Sequence, residues 1–190
     1  MKTRDEALAL LHEYTKSESL IKHALAVEAG MIWYARHFGL DAKEIEKWGI
    51  TGLIHDFDYE KYPSAEEHPF KGNEILIELG YPEDVTTAIM GHATYSGVPR
   101  ETQMAKALFA VDELTGLIMA SILVRPDKSI HELKLKSVKK KFKDKRFAAG
   151  VNREDVIQGA EELGVELDQH IQNVIDGMKE AARELGVDGS

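Results

Sequence analysis

Apolar residues in this chain recur every three to four positions over almost its whole length, and no stretch alternates with a period of two. That pattern admits helices packed on helices and little else. Leu20, Ala24, Val27, Met31 and then Tyr34 or Ala35 line one face of a helix predicted over about 18–38, with Gly39 placed to cap its end. Before it, Ala7, Leu8 and Leu11 mark a short helix over about 4–15. Asp41 and Glu44 have the spacing of a capping box and open a helix that runs to about Ile54. Further helices are expected over about 69–79, stopping at Gly80, and about 82–93, with Pro82 as first residue. Others follow over about 101–124, 129–142, 153–163 after Asn152, and 167–185. Residues 56–67 and the segment YSGVPRE read as irregular. The class is therefore all-α, a compact helical bundle. One domain over 1–190 is expected, with a core at about 18–124 and a C-terminal helical annex at about 127–186, since no linker separates them.

Composition narrows the chemistry. There is no cysteine, so disulfides and thiolate metal sites are excluded and any metal must be held by imidazole and carboxylate. The N-terminus is too charged for a signal peptide, and no apolar run approaches the ~20 residues of a membrane span. A cytoplasmic enzyme without a membrane partner is the default expectation. The net charge of −9 argues against a stable nucleic-acid complex. It is unevenly spread: KLKSVKKKFKDKR at 134–146 carries +7, leaving −16 on the rest. That segment reads either as a solvated helix face or as a source of positive charge for a phosphate-rich ligand.

Several ionisable residues interrupt apolar helices. His55 and Asp56 end the apolar run WGITGLI; His23 lies on the face of Leu20, Ala24 and Val27; Asp112 sits within ALFAVDELTGLI. Read singly, each has an ordinary explanation: a pair closing a helix, a satisfied core histidine, a carboxylate turned to solvent beside Glu113. Buried charge is costly unless it is paired or binds a metal, and convergence on one cation would explain all of them together. His68, which opens a helix before Pro69, and His92, which closes one before a turn, are placed to face the same cavity. His12, His37, His131 and His170 have no comparable context. Trp33, Trp48 and the methionines, including Met31, Met90 and Met119, read as packing residues.

The order His23, His55-Asp56, His68, His92, Asp112 resembles the HD-domain superfamily of metal-dependent phosphohydrolases, over about residues 18–120. HPFKGNEIL resembles the HPxxGxxIL segment of its HDIG and HD-GYP subgroups, and GHATYSGVP followed by LFAVDEL resembles their second histidine, turn and closing aspartate. The resemblance implies an HD-type bundle with extra C-terminal helices. It also implies two divalent transition-metal ions, drawn from Fe, Mn, Zn, Ni and Co. His23, His55, Asp56 and Asp112 would form one site; His68 and His92 would complete a second, with Asp56 bridging. Two departures exclude cyclic di-GMP hydrolysis from the expectation. Tyr59 stands where HD-GYP relatives carry the lysine of HD-x-x-K, and Gly97-Val98-Pro99 only approximates the GYP triplet.

The implied reaction is hydrolysis of a phosphate ester or anhydride of a small phosphorylated metabolite, a nucleotide by likeness to the small stand-alone members. Asp56 would fix the ion pair, and Asp58 would orient the attacking water, take its proton, or simply cap the loop. Lys71 and Arg100, close in sequence to ligands, and Lys140 and Lys141 of the basic stretch are the candidates to meet phosphate charge. The same ligand set also occurs in di-iron oxygenases acting on a small polyol or an organophosphonate, and a non-catalytic metal-stabilised module is a third reading.

Overall fold

The computed structural model describes residues 1–189. Nine α-helices make up the described chain, with no β-strand among those residues: α1 (Arg4–Tyr14), α2 (Glu18–His37), α3 (Ala42–Ile54), α4 (Phe70–Glu78), α5 (Glu83–His92), α6 (Gln103–Leu123), α7 (Leu135–Lys143), α8 (Arg153–Leu163) and α9 (Leu167–Glu180). A short 3-10 turn at Thr94–Ser96 links α5 to the strand-free approach to α6.

Two helices form the axis of the bundle, and their sequences show why. α2 is buried at every position from Ala24 to Met31, and α6 is apolar on nearly all sides, so each needs neighbours all round. α3 and α9 pack on α2, while α5, α7 and α8 pack on α6; α1 covers α3 and α4 covers α5. One continuous apolar core results, from Ala7 through Leu108 and Ile118 to Val174 and Val187. The C-terminal helices thus share the core of the preceding ones. Their approach is close: a Cβ at Gly159 of α8 would lie 2.5 Å from the Ala110 Cα of α6. Across α9, His170 donates from Nε2 to the Ala110 carbonyl at 2.6 Å and accepts at Nδ1 from the Tyr34 hydroxyl of α2 at 2.5 Å. This histidine, without context in the sequence, is fully buried between three helices.

The helix ends differ from expectation at α3, α5, α7 and α9, the last stopping at Glu180 rather than about 185. At α3, Asp41 accepts from the Glu44 amide at 2.9 Å, the forward half of a capping box. Pro82 is the residue before α5 rather than its first, with extended ψ of 150°. The helix expected from about 129 begins only at Leu135, because Ser129 and Ile130 pair instead with the returning C-terminus. There the Ile130 amide donates to the Val187 carbonyl at 2.8 Å, and Ile130 and Leu133, whose spacing mimics a helix face, are buried under it.

Candidate metal centre

The helix packing brings six ionisable residues to one point. His23 comes from the first third of α2, His55 and Asp56 from the C-terminal end of α3, His92 from the last position of α5, and Asp112 from the middle of α6. His68 comes from the turn-rich segment before α4. They fall into two groups that could hold a metal ion: His23, His55, Asp56 and Asp112; and Asp56, His68 and His92. Asp56 belongs to both and divides its oxygens between them. Its Oδ2 lies 3.8 Å from His23 Nε2 and 3.5 Å from His55 Nε2; its Oδ1 lies 3.2 Å from His68 Nε2 and 3.1 Å from His92 Nε2. Asp112 Oδ1 is 3.0 Å from His23 Nε2 and 3.3 Å from His55 Nε2. Two donors on one ion, each at about 2.1 Å, stand about 3.0–3.4 Å apart, so these separations suit a shared cation.

The outer face of each imidazole fixes which nitrogen looks inward. His55 Nδ1 donates to the Gly52 carbonyl at 2.7 Å, and His92 Nδ1 donates to the Ile89 carbonyl. Carbonyls only accept, so these nitrogens carry the proton, and in the neutral ring Nε2 presents a lone pair. His68 Nδ1 donates to Asp58 Oδ1 at 2.8 Å. The Thr115 hydroxyl gives its hydrogen to the Asp112 carbonyl at 2.8 Å and so faces His23 Nδ1, 3.4 Å away, as an acceptor. Four neutral imidazoles therefore aim lone pairs at two carboxylates. Acceptors facing acceptors in a buried site need a positive charge between them. Among the described residues, His55 Nε2 is wholly buried and has no hydrogen-bond partner.

No lysine or arginine pairs with Asp56 or Asp112 among the described residues. The contrast with Glu28 is instructive: this buried carboxylate receives Arg4 Nε at 2.6 Å and Nη2 at 2.8 Å. Protons can serve in place of metal only at a cost. Burial opposes the charged imidazoles, but Asp56 and Asp112 outweigh it at His55 and His92 and raise both, while Asp56 and Asp58 push His68 up to about 9. Burial likewise opposes the charged carboxylates, yet the facing histidines, His55 foremost, hold Asp56 and Asp112 well below the usual range. The rings are packed with centroids 5.1–5.3 Å apart from His23 through His55 and His92 to His68, so four imidazolium charges would repel one another. A divalent ion in each group would meet the same carboxylates and also accept the lone pairs of the facing neutral imidazoles, which a proton on each ring cannot do. The donor set, all nitrogen and oxygen, fits first-row transition metals.

The centre opens into a cavity of about 510 Å³. Tyr59, Tyr95, Glu113, Asn152 and Asp155 form its walls beyond the ligands. Burial pushes the Glu113 and Asp155 carboxyls up. Tyr95 donates to the His68 carbonyl at 2.8 Å, and Tyr59 stands edge-on to the His68 ring. Asn152 and Asp155 lie some forty residues beyond Asp112, so no local spacing marks them; Thr115 was legible as a hydroxyl three residues after Asp112 in an apolar helix.

The other expected site residues lie elsewhere. Asp58 sits behind His68, fully engaged: besides the imidazole it accepts from the Gly72 amide at 2.9 Å. It orients a ligand and does not reach the cavity. A Cβ at position 72 would meet the Asp58 carboxylate at 2.6 Å, which accounts for the glycine of HPFKGNEIL. Arg100 is held by Glu162 at 2.7 Å through both Nε and Nη2, donates to the Gly91 carbonyl and covers the Phe109 ring. Lys71 is exposed and pairs with Glu74. Lys141 donates to the Ser121 carbonyl and Lys140 is exposed on α7. None of these four lines the cavity, and no lysine or arginine does among the described residues. Met119, read as core filler, is only partly buried.

Comparison with protein-family models, curated proteins and solved structures gave no match.

Proposed function

We propose that this chain is a metal-dependent phosphohydrolase of the HD-domain type, cleaving a phosphate ester or anhydride of a small metabolite. The observation that carries this reading is the aim of the imidazoles: their Nε2 atoms converge on Asp56 and Asp112, which no basic side chain neutralises. His23, His55, Asp56 and Asp112 would hold one ion, and Asp56, His68 and His92 a second. Ions so placed draw charge from a phosphoryl oxygen and acidify water to near neutral pH. Asp56 fixes the distance between the two groups through its two oxygens. Asp58 and Thr115, the Gly52 and Ile89 carbonyls, and the bonds they accept hold the four rings in one tautomer. Tyr59, Tyr95 and Asn152 offer polar groups along the cavity wall.

The absence of a basic side chain from that wall leaves a second reading open to the same ligands. A di-iron oxygenase acting on an uncharged polyol needs no phosphate neutralisation from the protein, and the same ligand set would also serve one acting on an organophosphonate. Hydrolysis of p-nitrophenyl phosphate separates the two. The phosphohydrolase reading expects turnover that vanishes with chelator, returns with added divalent metal, and is absent from Asp56→Ala. Oxygen consumption with a polyol or phosphonate, in place of phosphate release, would overturn it.

A further inference from the structure

A second hollow of about 440 Å³ adjoins the metal cavity and shares His23 and Gly116 with it. Its inner wall is one stripe of α6. Asp112, Gly116, Met119 and Leu123 stand at spacings of four, three and four, so they follow a single face of the helix away from the metal ligand. From Gly116 to Leu123 this stripe covers about 10 Å. The facing wall is α2, where Lys22 Nζ is drawn to Glu18 Oε1 at 2.9 Å and leaves its methylene stem to the hollow. Leu123, at the outer end, is 53% exposed.

Gly116 is the informative residue. Mid-helix glycine costs about 0.8–1 kcal/mol relative to alanine. Elsewhere the helical glycines of this bundle are explained by close approach, as at Gly159 and Gly72. A Cβ at Gly116 would meet only Val151 Cγ2, at an ordinary 3.6 Å. Packing does not call for a glycine there. Its missing side chain lies where the metal cavity and the hollow share a wall.

The charges exclude a polyanion as the occupant. Among the described residues Lys22 is the one lysine or arginine lining the hollow and is already paired, while the far side of the metal cavity presents Glu113 and Asp155. An apolar segment tethered to a group bound at the metal centre fits the methionine, leucine and methylene surfaces. We propose that the hollow between α2 and α6 seats an aliphatic chain of the substrate, admitted past Gly116. Resting on the phosphohydrolase reading, this makes the substrate a phosphate monoester that carries an aliphatic chain.

The test is binding of n-alkylphosphonic acids, ethyl through octyl, to the metal-loaded protein by titration calorimetry. Full burial of a methylene is equivalent to about a fourfold gain in affinity. The expected result is a rise of at least about tenfold from ethyl to hexyl, flattened in Gly116→Leu, whose side chain would fill the junction. Leu123→Glu, at a half-exposed position, should weaken octylphosphonate several-fold more than butylphosphonate while the variant stays helical by circular dichroism. Affinity that does not change with chain length in the wild-type protein would overturn the proposal. Because these ligands are not hydrolysed, the outcome is independent of the reaction: chain-length dependence without any phosphatase activity defeats the phosphohydrolase reading and leaves the hollow as an aliphatic-binding site.

Discussion

At the scale of single residues, the site is defined as much by what stands behind the ligands as by the ligands. Asp58 spends both oxygens on His68 and Gly72, and an asparagine in its place can accept from only one of them. Asp58→Asn should therefore loosen the His68 group, weakening one metal by about 10–100-fold while the other is kept; metal analysis after dialysis would read this, and two ions retained would contradict it. Arg100 is the opposite case, a residue whose work lies in the fold. Its side chain is 8% exposed and held bidentately by Glu162. Arg100→Met should lower stability by about 2–4 kcal/mol, as expected for breaking a largely buried pair, with KM for a phosphate ester unchanged. A raised KM at unaltered stability would return Arg100 to the substrate. The two residues also show where sequence reading stops. The six candidate ligands were legible because an ionisable group in an apolar helix is costly and asks for a reason. Lys71, Arg100, Lys140 and Lys141 were chosen by nearness in sequence or by charge alone, and neither quantity says which way a long side chain turns.

At the scale of elements, periodicity placed the helices well because most of them bury one clear face. It misplaced the start of α7, where Ile130 and Leu133 have helical spacing but the Ile130 amide is taken by Val187. A bond to a residue 57 positions away leaves no local signature. The same holds for His170, which reads as featureless in sequence and proves to link α9 to α2 and α6. Both of its nitrogens are satisfied only in the neutral ring. Burial pulls it down to about 4, the bond to Ala110 offsetting this in part. In the unfolded chain the same imidazole titrates near its ordinary 6.5, so between those values the unfolded state binds more protons. Its contribution is complete above about pH 6.5 and is lost as pH falls toward 4, by about 1.4 kcal/mol per unit. Chemical denaturation of the metal-free protein across this window should show a steeper acid loss in wild type than in His170→Gln. Parallel slopes would mean that α9 is not held through a neutral imidazole.

At the scale of the whole molecule, the bundle is a device for bringing distant positions of one chain together. Two helices buried all round supply the axis, and the acidic and imidazole groups are admitted to it only where they face each other. No membrane-spanning helix is found among the described residues, and the charge of the basic α7 lies away from the cavity. The all-helical class was legible from the 3.6-residue period alone. That the C-terminal helices complete the cavity wall through Asn152 and Asp155 was not, since wall positions are set by how helices cross and not by any pattern along one of them.

The central claim is that Asp56 and Asp112 are neutralised by metal ions rather than by protons on their histidines. Elemental mass spectrometry on protein purified without chelator or metal-affinity resin addresses it directly. The account predicts about two transition-metal ions per wild-type chain and their loss in Asp56→Ala, with the variant still helical by circular dichroism. A wild-type chain that carries no metal, and takes up none on reconstitution while remaining folded, would contradict it.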